Sequence, residues 1–419
     1  MKKYTGQMGD LLQVLEISRN LALNHDLQGL IKQIEQAAVT VLNCERATVF
    51  VYAKNTDELY GLVCDRIGKL CVPADSGIAG TCFNTGKLVN VSDAYEDPRF
   101  NTSVDLLTGF KTRNILAAPL FGDQKNVLGV LEVLNKTDHA FGEWDEFLLE
   151  VLSAQCGVAI HRQALMEEFA ERKRLQQELA IAQGIQKSLL PASAPIIAGY
   201  DIAGWSQSAQ ETGGDFFDFH VQDDGCLILI LADVSGHGIG PALLAAECWA
   251  LQRAFFSWAA DYHSSLTYIN QLICRHIPSD RFITAFTAHL NAENNTLSFL
   301  SAGQGPVFIV RVAESRIETL PITCLPLGIL ADNCYEEWQT ISFNAEDILI
   351  AFTDGFFEWE NPSGDCFGTD RICENVLSHA ELSAASIIER VYQQLLSFAQ
   401  GTQQQDDLTA VVIKKLPDR

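Results

Sequence analysis

The stretch from Leu227 to Leu244 constrains the fold more than any other, because a long apolar run in it ends abruptly on a carboxylate. It reads LILILADVSGHGIGPALL. An unbroken apolar run of this kind is typical of a strand that is buried on both faces. Asp233 ends the run, and three glycines follow within five residues, which leaves the backbone accessible to an ion or a phosphate. The pattern predicts a central strand with a functional carboxylate at its mouth. A carboxylate that only caps the next helix, which resumes at Pro241, is the alternative.

Length and charge limit the class of protein. A chain of 419 residues with 47% hydrophobic content is long enough for about two domains of roughly 100 to 200 residues each. The formal net charge of -24 disfavours nucleic acid and anionic membrane as partners, because both would repel an acidic surface. The twelve cysteines form no C-x-x-C pair, and neither a leader nor a membrane-spanning run is evident. We therefore expect a soluble, cytoplasmic protein with free thiols.

The first half of the chain predicts an α+β domain. Apolar residues at helical spacing between Leu11 and Val41 predict two amphipathic helices, and another helix is predicted from about Glu143 to His161. Between them lie five short β-type segments: ATVFVYA, ELYGLVCD, KLVNVSDA, ILAAPLFG and VLGVLEVLN. Strands placed between flanking helices indicate a mostly antiparallel sheet.

A helical connector is predicted next, from Gln163 to Leu190. Its apolar residues approximate a heptad seam at Leu175, Leu179, Ala182 and Leu189. Such a seam favours pairing with the same helix of a second copy in a homodimer, and a single amphipathic helix packed on its own domain is the alternative. Pro191 ends the helix. The predicted domains are residues 1–165, a linker over 166–190, and residues 191–419.

The second half is rich in strands. Eight segments have strand character: DIAGWSQ, DFFDFHV, CLILILADV, ITAFTAHLN, TLSFLSAG, PVFIVRV, DILIAFTD and LTAVVIKKL. Helices are predicted near 239–259, 264–276 and 383–400. Many closely spaced strands with few helices favour two packed sheets flanked by helices, which is an α/β/β/α sandwich, over alternating βαβ units.

Aspartates recur at the strand ends and turns of this half. They are Asp215, Asp218, Asp233, Asp354, Asp406 and Asp407. If these ends converge, several like charges share one small site and need a counter-ion. Oxygen ligands without a Cys or His cluster favour magnesium, manganese or calcium over zinc. A pair of such ions can activate water and hold a phosphoryl group.

Six motifs of the second half give a specific resemblance: GGDFFDF, ADVSGHGIGPALL, SAGQGP, LPLGI, FTDGFFE and DDLTAVVIKK. Their order resembles that of the metal-dependent PPM-type serine/threonine protein phosphatases of the sporulation and sigma-factor-regulator branch, over nearly all of residues 186–416. The preceding IQKSLLP is similar to the segment that joins sensor and phosphatase in that branch. The resemblance implies hydrolysis of phosphoserine or phosphothreonine in a signalling protein, such as an anti-sigma-factor antagonist, with two Mn²⁺ or Mg²⁺ ions.

The resemblance also implies roles for individual residues. Asp233 would bridge two metal ions and the carbonyl of Val234 would bind one of them. Asp354 and Asp406 would complete the shell of the second ion, and Asp215 would act at a metal or through water.

Three further residues of these motifs are interpreted separately. Asp218 and Asp407 have the structural interpretation of turn and hydrogen-bond support. His237 is the only imidazole in the motifs and could be a general acid, a role that the sequence leaves open. No arginine before Asp215 corresponds to the phosphate-binding arginine of the eukaryotic-type enzymes.

The first half resembles the GAF domains of cyclic-nucleotide phosphodiesterases and cyanobacterial-type adenylyl cyclases over about residues 20–165. The resemblance is carried by GIAGTCFNTGKLVNVSDAYEDPRFNTSVDLLTGFKTRNILAAPL and VLGVLEVLNKTDHAFGEWDEF. It implies cyclic AMP or cyclic GMP as ligand. The implied contacts are Thr48, Asp65, Ile78, Ala79, Asn101, Asp105, Thr108, Thr112 and Glu132. The signature formed by Asn135, Lys136, Phe141, Asp145 and Glu146 resembles a structural lock in which Lys136 pairs with an acid.

The sequence therefore predicts a ligand-regulated protein phosphatase. Three alternatives remain open: a GAF domain that only folds and dimerises, a scaffold in which both domains bind partners without catalysis, and a cyclase-like signalling enzyme. The residues after Pro191 do not carry the catalytic pattern of a cyclase.

Overall fold

The computed structural model describes residues 2–21, 26–63, 68–123, 126–258 and 264–417. The chain divides into two compact units, Met1–Arg174 and Leu175–Arg419. Within the described ranges, no helix has the length and apolar character needed to cross a lipid bilayer. The eleven cysteines in these ranges are free thiols.

The first unit contains one six-stranded antiparallel sheet, with the strand order β3-β2-β1-β6-β5-β4. Its strands are β1 Cys44–Ala53, β2 Glu58–Val63, β3 Gly68–Pro73, β4 Val89–Val91, β5 Ile115–Phe121 and β6 Val127–Lys136. Its helices are α1 Lys2–Leu21, α2 Leu27–Leu42, α3 Gly77–Thr85, α4 Thr102–Thr108 and the start of α5, Glu143–Leu189. This architecture confirms the predicted α+β domain with an antiparallel sheet.

Helix α2 shows how the sequence directs this unit. Asp26 caps its first turn by accepting a hydrogen bond from the backbone N–H of Gly29, and Asn43 ends it in the left-handed conformation. The apolar residues between these caps recur every three or four positions, so one face of the helix packs into the core. The buried residues of that face include Leu30, Ile34, Ala38 and Val41.

Two helices and one strand of this unit lie outside the predicted elements. Helices α3 and α4 are nine and seven residues long, which is too short to establish a helical period in the sequence. Strand β3 has the sequence GKLCVP, in which glycine and proline argue against a strand. Both helices end on a glycine in the left-handed conformation, at Gly86 and Gly109.

Helix α5 is continuous over 47 residues, where the sequence predicted a helix to His161 and a separate helical connector from Gln163. No proline occurs between Glu143 and Pro191, so nothing in the backbone of this segment breaks the hydrogen-bond ladder. Several large apolar side chains of this helix are exposed, namely Leu165, Met166, Phe169, Leu175, Ile181 and Ile185.

The second unit contains two five-stranded antiparallel sheets, with the orders β14-β11-β10-β9-β8 and β13-β12-β15-β16-β7. The strands are β7 Tyr200–Gln207, β8 Phe216–Val221, β9 Leu227–Val234, β10 Ile283–Asn291, β11 Thr296–Ala302, β12 Val307–Arg311, β13 Arg316–Leu320, β14 Gln339–Ser342, β15 Ile348–Phe352 and β16 Leu408–Lys415. The helices are α6 Ile239–Trp258, α7 Ser265–Ile273, α8 Asp354–Glu358, α9 Thr369–Ser378 and α10 Ala384–Ala399.

Strand β9 accounts for the layering of this unit. Leu229 and Leu231 point into the core between the two sheets. Ile230 and Ala232, on the opposite face, pack in the cluster that contains residues of α6 and α7. A second outer layer, with α9 and α10, covers the other sheet. The unbroken apolar run is thus explained by burial on both faces, and the α/β/β/α sandwich is confirmed.

Helices α8 and α9 and strands β13 and β14 of this unit lie outside the predicted elements. Strands β13 and β14 are the outermost strands of their sheets and contain mostly partly exposed or exposed residues. An edge strand can be polar on its open side, so its sequence lacks the apolar pattern of a central strand.

Candidate active site

The strand ends of both sheets bring four predicted aspartates together. Asp215 directly precedes β8, and Phe216 pairs with Ala232 of β9, so the next position in the antiparallel register brings Asp215 opposite Asp233. Asp354 is the first residue of α8, directly after β15 and Thr353. Asp406 lies two residues before β16, the strand that pairs with β15. The convergence follows from the antiparallel order of the two sheets.

Side-chain contacts connect the strand ends that carry these aspartates. The hydroxyl of Thr353, which is fully buried, donates a hydrogen bond of 2.7 Å to Oδ2 of Asp215. In the register of β8 and β9, Asp215 in turn lies opposite Asp233. Thr353 follows β15 in one sheet and Asp215 precedes β8 in the other, so the buried hydroxyl connects the two halves of the site.

The electrostatics of the cluster are unfavourable without a cation. Burial and the charge of Asp354 raise the pKa of Asp233 to about 7. Burial and the charge of Asp406 raise the pKa of Asp354 to about 6. Burial, with the charges of Asp233 and Asp407, raises the pKa of Asp215 well above its usual range. Each carboxylate therefore opposes ionisation of the next, and the cluster attracts positive charge.

Backbone oxygen contributes to the same space. A Cβ atom placed on Gly214 would lie 2.7 Å from the carbonyl oxygen of Val234 and 3.5 Å from Oδ1 of Asp233. Any residue with a side chain would fill the space beside these two oxygens. The glycine of the GGD motif therefore keeps open a pocket bounded by a carbonyl and a carboxylate.

The donor set fits a hard divalent ion. Among the described residues, no group of three or more His, Cys, Asp or Glu side chains forms a ready-made metal cage. Mg²⁺ is usually held by one or two carboxylates and several waters, not by an all-protein cage. Two facing carboxylates, further acidic side chains nearby and an accessible carbonyl match that manner of binding.

The two remaining aspartates support the backbone of the site. Asp407 accepts hydrogen bonds from the backbone N–H groups of Ala209, at 2.8 Å, and Gly214, at 2.6 Å. Buried Asp218 forms a bidentate ion pair with Arg253, in which Nη2 lies 2.7 Å from Oδ1. These contacts agree with the interpretation of both residues as hydrogen-bond support.

His237 lies on the exposed turn after β9, where its Nδ1 is 3.2 Å from Nε2 of Gln210. Within the described chain, no hydrogen bond or ion pair joins its ring to the four clustered aspartates. The geometry gives His237 a place at the rim of the site and leaves its role as a general acid a prediction.

The end of helix α5 holds the turn that precedes Asp215. The amide of Gln186 donates to the carbonyl of Gly213 at 2.5 Å and accepts from the N–H of the same residue at 3.1 Å. Sequence reasoning noted the IQKSLLP segment but not Gln186 itself, and it also missed Thr353. The signals for them were their positions, in the segment before the phosphatase motifs and directly before Asp354.

The first unit contains a cavity of about 90 Å³ that is partly open to solvent. Six of the nine predicted ligand contacts line it: Ile78, Ala79, Asn101, Asp105, Thr112 and Glu132. Thr48 is buried in β1 and is not among the lining residues. Asp65 lies outside the described residues, and so does the side chain of Thr108. Lining residues that the sequence did not single out include Arg46, Phe50, Phe100 and Phe110.

Two of the predicted ligand-contact residues, Asp105 and Thr112, are hydrogen-bonded to each other. The carboxylate of Asp105 accepts hydrogen bonds of 2.7 Å from both the backbone N–H and the hydroxyl of Thr112, and one of 3.0 Å from Tyr95. These residues shape one wall of the cavity. Glu132 is different, because burial raises its pKa to about 7, and within the described chain it has no hydrogen-bond partner.

The predicted structural lock, in which Lys136 pairs with an acid, is present in the first unit. Nζ of Lys136 lies 2.6 Å from Oδ1 of Asp145 and donates to the carbonyl of Leu42 at 2.9 Å. Asn135, which is fully buried, accepts from the N–H of Arg113 at 2.6 Å. These contacts tie β6 to α5 and α2, which supports a structural role for the signature.

Comparisons with known proteins agree with both halves. Residues 223–416 match the family model described as Stage II sporulation protein E (SpoIIE), and residues 26–160 match the GAF domain model. The chain is 26% identical over 270 residues to the phosphoserine phosphatase RsbU of Bacillus subtilis, a match that covers 64% of this chain and 78% of that protein.

Two further similarities concern parts of the chain. A probable 3',5'-cyclic phosphodiesterase, pde-5 of Caenorhabditis elegans, is 28% identical over 186 residues, which is 40% of this chain and 25% of that protein. The SiaA-PP2C domain of Pseudomonas aeruginosa has the same fold over 58% of this chain and 98% of its own, with a TM-score of 0.51 and 20% identity. The chain thus has a GAF domain followed by a SpoIIE-type PP2C phosphatase domain.

Proposed function

We propose that the second unit hydrolyses phosphoserine or phosphothreonine in a signalling protein, such as an anti-sigma-factor antagonist, with two Mn²⁺ or Mg²⁺ ions. The observation that carries the proposal is the convergence of Asp215, Asp233, Asp354 and Asp406 with pKa values raised by burial and by one another. The name of the RsbU relative, a phosphoserine phosphatase, supports this substrate class. The acidic charge and free thiols favour the cytoplasm as its location.

The residues of the chain have distinct parts in this reaction. Asp233 and the carbonyl of Val234 would hold one ion, Asp233, Asp354 and Asp406 would hold the second, and Asp215 would act at a metal or through water. When bound, the ions supply Lewis acidity toward the phosphoryl oxygens and lower the pKa of water. Because no motif places a Cys or Ser nucleophile beside a base, we expect water to be the nucleophile.

The experiment is a rapid-quench assay with a ³²P-labelled phosphoserine protein, run with Mn²⁺, with Mg²⁺ and with a chelator. We expect metal-dependent release of phosphate and no labelled enzyme at any time point. A covalently labelled protein at stoichiometric level would contradict direct hydrolysis. Absence of phosphate release with every metal and substrate, together with binding of partner proteins, would favour the scaffold alternative.

We propose that the cavity of the first unit binds a cyclic nucleotide, cyclic AMP or cyclic GMP, and that this ligand regulates the phosphatase. The cavity lining combines the aromatic residues Phe50, Phe100 and Phe110 with polar and charged side chains. Arg46 lies over the ring of Phe110, 4.3 Å from its centroid, and the carboxylate of Glu132 has no hydrogen-bond partner within the described residues. Apolar walls with a few polar groups suit a purine base and its phosphate. The name of the pde-5 relative favours the same ligand class.

Calorimetric titration of the full chain with each nucleotide tests this proposal. We expect one nucleotide to bind and to change the phosphatase rate, and Glu132→Gln to weaken binding by about 10-fold or more, the usual scale for a lost contact to a charged group. Glu132→Gln is preferred to a change at Asp105 or Thr112, because those residues hold each other. The matched control is Glu58→Gln, a half-buried glutamate at the start of β2 that does not line the cavity. No heat and no change in rate at millimolar nucleotide would leave the domain as a sensor of another ligand or as a dimerising unit.

We also propose that helix α5 pairs with the same helix of a second copy in a parallel homodimer. Such pairing would cover exposed apolar residues of the helix, which include Phe169, Ile181 and Ile185, and exposed apolar groups favour association. Light scattering at tens of micromolar should give the mass of a dimer, and Phe169→Glu with Ile181→Glu should shift the mass toward the monomer. A monomeric wild-type protein under these conditions would remove this route of coupling.

A further inference from the structure

Arg281 lies two residues before β10, at the mouth of the aspartate cluster. Its neighbour Phe282 exchanges two hydrogen bonds with Ser235, one from each residue to the other, both of 3.0 Å. The strand pairing continues with Ile283 opposite Val234. The backbone of Arg281 is therefore fixed beside the turn that follows Asp233.

The side chain of Arg281 lies over this turn. One of its guanidinium nitrogens, Nη1, donates a short hydrogen bond to the carbonyl of Ser235. A Cβ atom on Gly236 would lie only 1.8 Å from the same nitrogen and 2.9 Å from Cζ. Gly236 has a φ of +86°, so the backbone conformation favours glycine here, and the absence of a side chain leaves room for the guanidinium of Arg281.

The turn under Arg281 also borders the candidate metal pocket. The carbonyl oxygens of Val234 and Gly236 lie 2.7 and 3.5 Å from the position of a Cβ on Gly214. Arg281 therefore contacts one side of the loop whose other side faces Gly214 and Asp233. The guanidinium stands at the rim of the cluster, one or two residues from the proposed ligands.

The remaining N–H groups of Arg281 have no partner in the described chain. Two other arginines of this unit, Arg253 and Arg311, are paired with the buried acids Asp218 and Asp347. Arg281 forms no such ion pair among the described residues, and it is half-exposed. A partly exposed guanidinium with free donors, beside a cluster that would hold cations, suits an anion with several oxygens.

We propose that Arg281 binds the phosphate group of the phosphoprotein substrate and orients it over the aspartate cluster. This inference rests on the proposed phosphatase function. It gives an orienting cation to a chain in which no arginine precedes Asp215 in the corresponding motif. Since a guanidinium can donate two parallel N–H groups to phosphate and a lysine cannot, charge alone should not replace it.

The test compares the wild type with Arg281→Ala and Arg281→Lys, in full-length protein with saturating Mn²⁺. The measured quantities are kcat and KM for a phosphoserine protein, the inhibition constant of inorganic phosphate, and the dissociation constant of Mn²⁺. We expect Arg281→Ala to weaken phosphate inhibition and to lower kcat/KM by about 10- to 100-fold, the scale of a lost charge-assisted contact. Arg281→Lys should recover only part of this loss, and the Mn²⁺ dissociation constant should stay within about two-fold. The control is Arg316→Ala, an exposed arginine paired with Glu314 and Glu318.

Two results would overturn the inference. One is an active Arg281→Ala enzyme whose phosphate inhibition constant equals that of the wild type. The other is a variant that loses Mn²⁺ affinity while phosphate inhibition at saturating Mn²⁺ is unchanged, because Arg281 would then only hold the Ser235 turn. If Arg281→Ala does not fold, Arg281→Lys decides between the same outcomes. Failure of the proposed function would give a different result. The wild type would then lack phosphatase activity, but phosphate would still raise its melting temperature and Arg281→Ala would abolish that rise.

Discussion

Replacing Asp233 by Asn is expected to lower the phosphatase kcat by about 100- to 1,000-fold or more, while the protein stays folded. The expectation follows from the position of Asp233, which faces Asp215 and lies within the electrostatic reach of Asp354 and Asp406. A neutral amide is a weaker ligand for a hard cation, and metal ions stabilise the charge of a transferring phosphoryl group by several kcal/mol.

The control for this substitution is Asp332→Asn, which changes an exposed aspartate of the same unit and should leave kcat unchanged. Circular dichroism and the melting temperature report folding, and calorimetry with Mn²⁺ reports metal binding. An Asp233→Asn enzyme with wild-type kcat in Mn²⁺ would refute the metal role of this residue. If the Asp233→Asn variant does not fold, Asp354→Asn, at the other side of the cluster, makes the same test.

The central strands and the aspartate motifs were predictable because burial leaves a direct mark on the sequence. LILILA had to be a strand covered on both faces, and the register of β8 with β9 then brings Asp215 opposite Asp233. Asp407 and Asp218 were interpreted as support, and each indeed holds neighbouring groups. Local pattern and hydrogen-bond chemistry sufficed for these residues.

The residues that sequence reasoning missed act through contacts between distant segments. Thr353 reaches Asp215 across 138 positions of the chain, and Gln186 reaches Gly213 across 27. Arg281 meets the Ser235 carbonyl across 46 positions. None of these pairings leaves a periodic or compositional signal, since each depends on how distant segments of the chain meet in the fold. The cavity residues Arg46 and Phe110 were missed for the same reason, because β1 and the loop before β5 meet only in the folded domain.

The aspartate cluster has a further consequence for stability, because its carboxyl groups hold protons more tightly when folded than when unfolded. The pKa of Asp233 is raised to about 7 and that of Asp354 to about 6, against 3.8 for an ordinary aspartate. Burial raises the pKa values of Asp215 and Asp407 as well. Between pH 4 and 7 the folded state therefore binds more protons than the unfolded state. The free energy of unfolding must then fall as the pH rises through this window.

We expect the metal-free protein to lose stability on the order of a few kcal/mol between pH 5 and pH 8. Mn²⁺ or Mg²⁺ should restore most of it at pH 8, because the ion replaces the lost protons as counter-charge and binds only the folded site. Urea unfolding followed by tryptophan fluorescence measures this effect, since five of the six tryptophans lie after residue 175. The matched variant is Asp233→Asn, which should be more stable than the wild type at pH 8 in chelator and nearly equal to it at pH 5.

Other groups titrate in the same range, and the comparison between wild type and variant separates them from the cluster. Glu35 and Glu132 of the first unit, with pKa values raised by burial to about 7, add to the loss at high pH. His220, whose pKa is lowered by burial, acts in the opposite direction. Because Asp233→Asn leaves all three in place, their contributions cancel in the difference between the two proteins. If that difference is the same at pH 5 and pH 8 in chelator, the carboxyl groups are not coupled as the geometry requires.

Since the protons held by this cluster and the cations proposed for it would occupy the same oxygens, metal affinity should rise over the pH window in which the metal-free fold weakens.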